Sequence, residues 1–216
     1  MDQPAKNYAT VIPTVCSLPL MLRNEPASAT LPLRILPLGD SITWIWGYQP
    51  DGTVIDTNGY RAPLLSSLVA AGYEVDFVGT LRSGDMPDND NGGHSGFTIS
   101  QIQNVMAGGL AMKPNVVLLH AGTNDLNRPE TQEEPWLDAP ERLGSLLDDA
   151  LMASPDAVVI VAEIIEAADS ETLERIKAFN SAIADVVKQR MLEGYKVTVV
   201  DQSVIGADEL ADGLHP

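Results

Sequence analysis

At 216 residues, 44% hydrophobic and 20% charged, the chain has the composition of a globular protein and the length of one domain, which sets aside the disordered and fibrous classes. Lys and Arg total 13 against 30 Asp and Glu, a net charge of −17; such a surface repels phosphate backbones and anionic membranes alike, so nucleic acid is not expected as a partner. Cys16 is the only cysteine, so neither an intrachain disulfide nor a cysteine-based zinc site can form, and no run approaches the roughly 18 apolar residues of a spanning helix.

Residues 1–30 carry Pro4, Pro13, Pro19, Pro26 and the spacer Ala27-Ser28-Ala29, with no sustained periodicity, and read as an N-terminal extension. Within them, 11–22 is apolar but interrupted by Pro13 and Pro19, preceded only by Lys6 and followed by no clear small-residue cleavage site. It reads as a packing arm rather than a signal peptide.

From residue 33 onward, apolar runs alternate with helical patterns. The run 33–38 predicts a buried strand, and Gly39-Asp40-Ser41-Ile42-Thr43 follows it directly, a polar, turn-prone segment that presents a serine at the strand tip. A helix is predicted over 60–71 from Leu64, Leu65, Leu68 and Val69, with Gly72 as its stop. Further strands are predicted at 74–79, 116–120, 157–162 and 196–201, and further helices at 98–108, 140–153 and 170–193, the last bounded by Gly194. This order predicts a three-layer α/β/α sandwich on a five-stranded parallel sheet with right-handed crossovers. Ligands of such sheets bind outside the carboxyl ends of the strands, which is where Ser41, Gly79, Asn124 and the residues after Asp201 fall. Long loops are predicted at 48–58, 82–95 and 127–138, and loops of that length are often functional.

A serine hydroxyl is a poor nucleophile near neutral pH; it needs a base to take its proton, and the base needs a carboxylate to fix its tautomer. Ser41, His215 and Asp212 are the candidates, because the spacing of Asp212-Gly213-Leu214-His215 lets both side chains project from one turn. The tetrahedral intermediate of acyl transfer also needs preorganised donors for its oxyanion. The N–H of Ser41, the N–H of Gly96 within Gly93-His94-Ser95-Gly96-Phe97-Thr98 and the amide of Asn124 within Gly122-Thr123-Asn124-Asp125 can supply them; Gly96 is expected to open a helical segment and so to keep its N–H unpaired. The ordinary reading of Asn124 is a turn residue bonded to its own backbone.

These blocks, in this order, resemble those of the SGNH (GDSL-type) hydrolase superfamily over about residues 33–216: a Gly-Asp-Ser block, a glycine block, a Gly-x-Asn block and a terminal Asp-x-x-His block. The resemblance implies Ser41 as nucleophile, Asp212 and His215 as its triad partners, Gly96 and Asn124 in the oxyanion hole, and Asp40 and Asp125 as structural ties; the catalysis is expected to need no cofactor and no metal. Leu36-Pro37-Leu38-Gly39-Asp40-Ser41-Ile42-Thr43, Asp76-Phe77-Val78-Gly79, Asp88-Asn89-Asp90 and Ala211-Asp212-Gly213-Leu214-His215-Pro216 are similar to the carbohydrate esterase family 3 branch. That branch contains acetyl xylan esterases, which implies deacetylation of sugar hydroxyls by a secreted protein, although the chain shows no clear signal peptide. Two departures stand out. Trp44-Ile45-Trp46 intervene before Gly47, where relatives often carry an earlier glycine, and a domain over 31–216 lacks the final helix that follows His-Pro in the family.

Trp44, Trp46 and Tyr48 are candidates for a sugar-stacking wall, with core packing as the ordinary alternative, and His94 is a candidate substrate contact that reads equally as a packed histidine, as does His120. The loop from Asp85 to Gly93 is rich in Asp and Asn, but position 12 counted from Asp88 is Ile99, so it lacks the acidic residue of an EF-hand. Glu163 and Glu166 lie at the end of the fourth predicted strand, as substrate contacts or as a solvated connection. Two further readings compete with the esterase: a carbohydrate-binding module that keeps the fold without turnover, motivated by the Trp44–Trp46 segment, and a lipase- or thioesterase-like hydrolase of the same chemistry.

Overall fold

The computed structural model describes residues 31–48, 54–56 and 58–216, without the side chains of 46–48 and 54–56. The expected extension over 1–30, with its packing arm, lies outside the described residues. In chain order the elements are β1 (Leu33–Gly39), α1 (Ser41–Trp44), β2 (Trp46–Tyr48), β3 (Val54–Asp56), α2 (Arg61–Ala70), β4 (Val75–Phe77), β5 (Leu81–Arg82) and β6 (Asp90–Gly93). They continue with α3 (Ile99–Val105), α4 (Ala107–Leu110), β7 (Val116–His120), α5 (Thr123–Asn127), α6 (Ala139–Ala153), β8 (Val158–Ala162), α7 (Ser170–Leu192) and β9 (Val197–Val200).

β1 lies at the centre of a seven-stranded sheet ordered β5-β6-β1-β7-β8-β9, with β4 pairing the start of β1. The five predicted strands are all present and mutually parallel, in register Leu33↔Val75 on one side of β1 and Ile35↔Val116 through Gly39↔His120 on the other. Two departures come from the segments expected to be loops. Residues 82–95 contain β6, parallel to the end of β1, with β5 antiparallel to it, and residues 48–58 contain β3, which closes a hairpin with β2. These strands are only two to four residues long, too short for a period-2 pattern to register, and β6 is Asp-Asn-Gly-Gly, without a β-branched residue.

Pro37 stands in the central strand, where a missing N–H ordinarily breaks a ladder. Here β4 pairs β1 only as far as Ile35, and β6 pairs it only from Leu38, so Pro37 falls where one neighbour gives way to the next.

The alternation of β1 and its neighbours feeds two cores. Leu36, Leu38, Val117, Leu119, Val159 and Val161 face α3, α6 and α7, whose Ile102, Leu146, Leu147, Phe179 and Ile183 are buried with them. On the opposite face Ile35 and Phe77 pack with Leu64, Leu65 and Leu68 of α2. Helices on both faces of a mostly parallel sheet make the α/β/α sandwich expected. Each fully buried Leu or Ile contributes about 2 kcal/mol of transfer free energy, so the two apolar faces dominate the stability.

Helix starts follow local chemistry. α7 begins at Asp169, whose carboxylate accepts the N–H of Thr172 at 2.8 Å, and α3 begins with a capping box in which Gln101 accepts the N–H of Thr98 at 2.9 Å. Among the described residues no helix is long and apolar enough to cross a membrane.

Candidate active site

The carboxyl ends of β6, β1 and β7 deliver three loops to one edge of the sheet, and the last turn of the chain meets them there. At the tip of β1, Asp40 caps α1 by accepting the N–H of Ile42 at 2.9 Å, so Ser41 is the first residue of a one-turn helix, only 5% exposed. The sequence reading put the serine on a strand-to-loop tip; the short helix was missed because four residues are too few for a periodicity to register.

His215 Nε2 lies 2.8 Å from Ser41 Oγ, and His215 Nδ1 lies 2.8 Å from Asp212 Oδ2. A carboxylate beside Nδ1 keeps the proton there, which leaves Nε2 as the acceptor of the serine hydroxyl. The Asp212–His215 turn is closed from within, because Asp212 Oδ1 also accepts the backbone N–H groups of Leu214 and His215 at 3.0 and 2.8 Å. It is anchored from without by Leu214, packed on the larger core, and by the Gly213 carbonyl, which accepts the Ala168 N–H at 2.8 Å. Burial works to raise the Asp212 pKa, but the imidazole and the two backbone donors outweigh it and hold the carboxyl below its ordinary value.

Contrary to the expectation from sequence, Gly96 does not open a helix; α3 begins three residues later, at Ile99. Gly96 sits instead in a tight turn closed by Phe97 N–H to His94 O at 3.1 Å, with φ +80°, a conformation that favours glycine. Asn124, in the first turn of α5, donates its Nδ2 to the carbonyl of Phe97 at 3.0 Å, so the two candidate oxyanion residues are tied to each other through the residue between them. That bond crosses between loops, unlike the self-bonded turn of the ordinary reading. Beneath them Asp125 accepts the N–H of Ile99 at 2.9 Å and pairs with Arg142 at 3.0 Å, joining α5 to α3 and α6. Burial raises its pKa, against the opposing pull of Ile99 N–H and Arg142.

The remaining candidates divide. His94 stacks on Phe97 with ring centroids 4.9 Å apart, and burial lowers its pKa, so it enters this region as a packed, neutral ring. His120 is buried at the end of β7, with Nδ1 3.6 Å from Asp40 Oδ1. Trp44 ends α1 half-buried, while the side chains of Trp46 and Tyr48 lie outside the described residues. Asp88 accepts the N–H of Phe77 at 2.7 Å and Asp90 pairs with Arg82, so these two carboxylates of the Asp-rich loop are spent on protein partners. Among the described residues no group of three His, Cys, Asp or Glu side chains is arranged to hold a metal ion. Glu163 has its pKa raised by partial burial and by Asp201, which faces it.

A cavity of about 380 Å³ opens beside Ser41 and His215, walled by Ile42, Tyr60, Leu118, Ile160 and Ile205. Burial pushes the Tyr60 phenol up to about 12, so this wall is uncharged. Sequence reasoning missed Arg61, Ser83 and Asn91, three buried polar residues beside α1. A lone Arg at a helix start and a Ser and Asn in a polar loop read as solvated, and only their burial sets them apart.

A serine, an imidazole and a carboxylate thus stand in hydrogen-bonded series at the carboxyl edge of this sheet, the arrangement that nucleophilic hydrolysis requires. Residues 38–216 match the GDSL-like Lipase/Acylhydrolase family; the chain belongs to it, and with it to the carboxylic ester hydrolases. Among solved structures, it resembles a family 3 carbohydrate esterase of Clostridium thermocellum with a TM-score of 0.71 and 33% identity, covering 86% of this chain and 87% of that one. It also resembles an acetyl esterase mutant bound to acetate ion, with a TM-score of 0.69 and 28% identity, covering 85% and 88% of the two chains. A multidomain esterase of Ruminococcus flavefaciens is 29% identical over 240 aligned residues, which take in 97% of this chain and 29% of that protein. The chain thus spans under a third of that curated relative's length.

Proposed function

We propose that residues 31–216 form the catalytic domain of an esterase that removes acetyl groups from carbohydrate hydroxyls through Ser41, His215 and Asp212. The observation that carries this reading is the 2.8 Å contact between His215 Nε2 and Ser41 Oγ, backed by the 2.8 Å contact between Nδ1 and Asp212. Ser41 Oγ attacks the ester carbonyl as its proton passes to Nε2. The resulting imidazolium, stabilised by Asp212, returns the proton to the departing sugar oxygen, and an acetyl-Ser41 intermediate remains. Water, deprotonated at Nε2, then releases acetate by the same steps in reverse. The oxyanion is assigned to the N–H groups of Ser41 and Gly96 and to the side-chain amide of Asn124, a reading supported by the bond that ties Asn124 to Phe97, the neighbour of Gly96. No cofactor takes part. The acetyl and carbohydrate parts of the reading rest on the two solved structures, a carbohydrate esterase and an acetyl esterase.

The test is hydrolysis of p-nitrophenyl acetate and of acetylated xylan by the wild type and by Ser41→Ala. A product burst in the wild type that is lost in the variant, together with fluorophosphonate labelling of Ser41, is the expected result. Equal rates in the two proteins would defeat the assignment, and xylan binding without turnover would favour a binding module.

The apolar cavity beside Ser41 favours a second reading, a longer acyl chain. Its walls of Ile, Leu and Tyr offer a two-carbon acyl group more room than it fills. A series of p-nitrophenyl esters from acetyl to octanoyl separates the two: kcat/KM falling from acetyl onward supports the first, and a maximum at butyryl or beyond supports the second.

A further inference from the structure

The loops that carry Ser41 and Gly96 are joined underneath by one hydroxyl. Ser83 Oγ, on a residue 2% exposed, donates to the carbonyl of Trp44 at 2.8 Å and accepts from Arg61 Nη2 at 2.8 Å and from Asn91 Nδ2 at 3.0 Å. A hydroxyl has one proton and two lone pairs, and all three are used. The Trp44 carbonyl closes α1, the helix that Ser41 opens. Asn91 in turn accepts the N–H of Gly93 at 2.9 Å, at the end of the strand that feeds the Gly96 turn.

Arg61 is the keystone. Its side chain is completely buried, and its guanidinium also donates to the carbonyls of Ser83 and Asn89, at 3.0 and 3.2 Å. A desolvated guanidinium carries a cost that only fixed partners offset, so these groups are held where its rigid fork requires them. The fit between the two loops leaves no slack: a Cβ on Gly93 would lie 2.3 Å from the Trp44 nitrogen, and the His94 N–H reaches the Gly39 carbonyl at 2.8 Å.

We infer that Arg61, Ser83 and Asn91 are positioning residues for the reaction: through Ser83 Oγ they lock the helix bearing Ser41 to the strand that leads into the Gly96 turn, and so set where the nucleophile stands relative to the oxyanion donor. None of the three side chains lines the cavity beside Ser41, and they act through backbone groups of Trp44 and Gly93. The inference rests on the proposed roles of Ser41 and Gly96.

The test compares wild type, Ser83→Ala and Asn91→Ala. A misplaced nucleophile lowers turnover more than ground-state binding. Each variant is therefore expected to lose at least about tenfold in kcat on p-nitrophenyl acetate, with KM within about twofold, and to be labelled by a fluorophosphonate at a rate reduced in proportion. The acidic limb of the kcat/KM profile should stay where it is, because His215 and Asp212 are untouched. Arg190→Met serves as a control: Arg190 holds α7 to α6 through Asp148 at 2.7 Å, and its loss should lower the melting temperature without changing kcat. A kcat and labelling rate at the wild-type level in either folded variant would overturn the relay, whatever the melting temperature does. If one variant does not fold, the other still decides. Absence of labelling in the wild type itself would instead overturn the underlying role of Ser41.

Discussion

His215 Nε2 and Ser41 Oγ stand 2.8 Å apart across 174 positions of sequence. The contact is made by the two ends of the described domain: Ser41 is carried by the central strand, and His215 by a turn anchored on the larger core through Leu214. Its quality depends on Asp212, which holds the turn with one carboxylate oxygen and the imidazole with the other.

Asp212→Asn is therefore expected to lower kcat by about 10³-fold or more, since an amide can present its NH2 to Nδ1 and favour the wrong tautomer. Removing the negative charge also disfavours the imidazolium, so the acidic limb of kcat/KM should move to lower pH. In the wild type the Asp212 carboxyl is held below its ordinary value, so it stays ionised through mildly acidic pH. Its contribution to stability is present above the unfolded pKa and is lost only as pH falls through the lower folded one. Acid unfolding of wild type and Asp212→Asn, followed by circular dichroism, checks this: the wild type should lose its advantage as pH falls through the lowered Asp212 pKa.

Asn124→Ala removes a donor proposed for the oxyanion and should cost about 10²-fold in kcat, with a smaller effect on KM. The bond to the Phe97 carbonyl is lost as well, a modest penalty of about 1 kcal/mol, so the variant should remain folded. Steady-state kinetics and urea denaturation on the same preparation separate the two effects.

Gly96→Ala and Gly194→Ala form a matched pair. Both glycines have positive φ, +80° and +95°, so each substitution should destabilise by about 1 kcal/mol. An added Cβ meets nothing within 4 Å at Gly194, beyond the end of α7, but lies 3.1 Å from Arg128 Nη2 at Gly96. Loss of activity in the Gly96 variant alone is expected. Equal kcat in both would count against a role for the Gly96 N–H.

Arg142→Met should destabilise the fold by about 3 kcal/mol near neutral pH, because it leaves the buried Asp125 charge without its partner. Burial already raises the Asp125 pKa, and losing Arg142 raises it further. The carboxyl can then escape its penalty by taking a proton, so the difference from wild type should shrink as pH falls toward 4.5. Urea unfolding at pH 7 and pH 4.5 measures it; a pH-independent difference would sink the explanation.

The sheet was legible where its strands are apolar runs. β1, β7 and β8 announce themselves because interior parallel strands are covered on both faces, and β4 and β9, half-buried at the margins, by the Val and Phe residues that reach the core. β5 and β6 were not, since Asp90-Asn91-Gly92-Gly93 makes a strand only by pairing with the end of β1. Position along the chain also misled at Gly96, where nearness to a helix suggested a helix start and the turn lies three residues ahead of it.

Local residue order by itself marked the groups proposed to bring the chemistry: a serine after an apolar strand, an asparagine after another, an aspartate and a histidine spaced for one turn. Reactivity belongs to side chains, and their spacing shows in the string of letters. What the folded molecule alone decided is distance and solvation, namely that His215 meets Ser41, that Asn124 reaches the Phe97 carbonyl, and that the charge of Arg61 is shut away from water beside α1. Those facts arise from packing between elements far apart in sequence, and no local pattern encodes them.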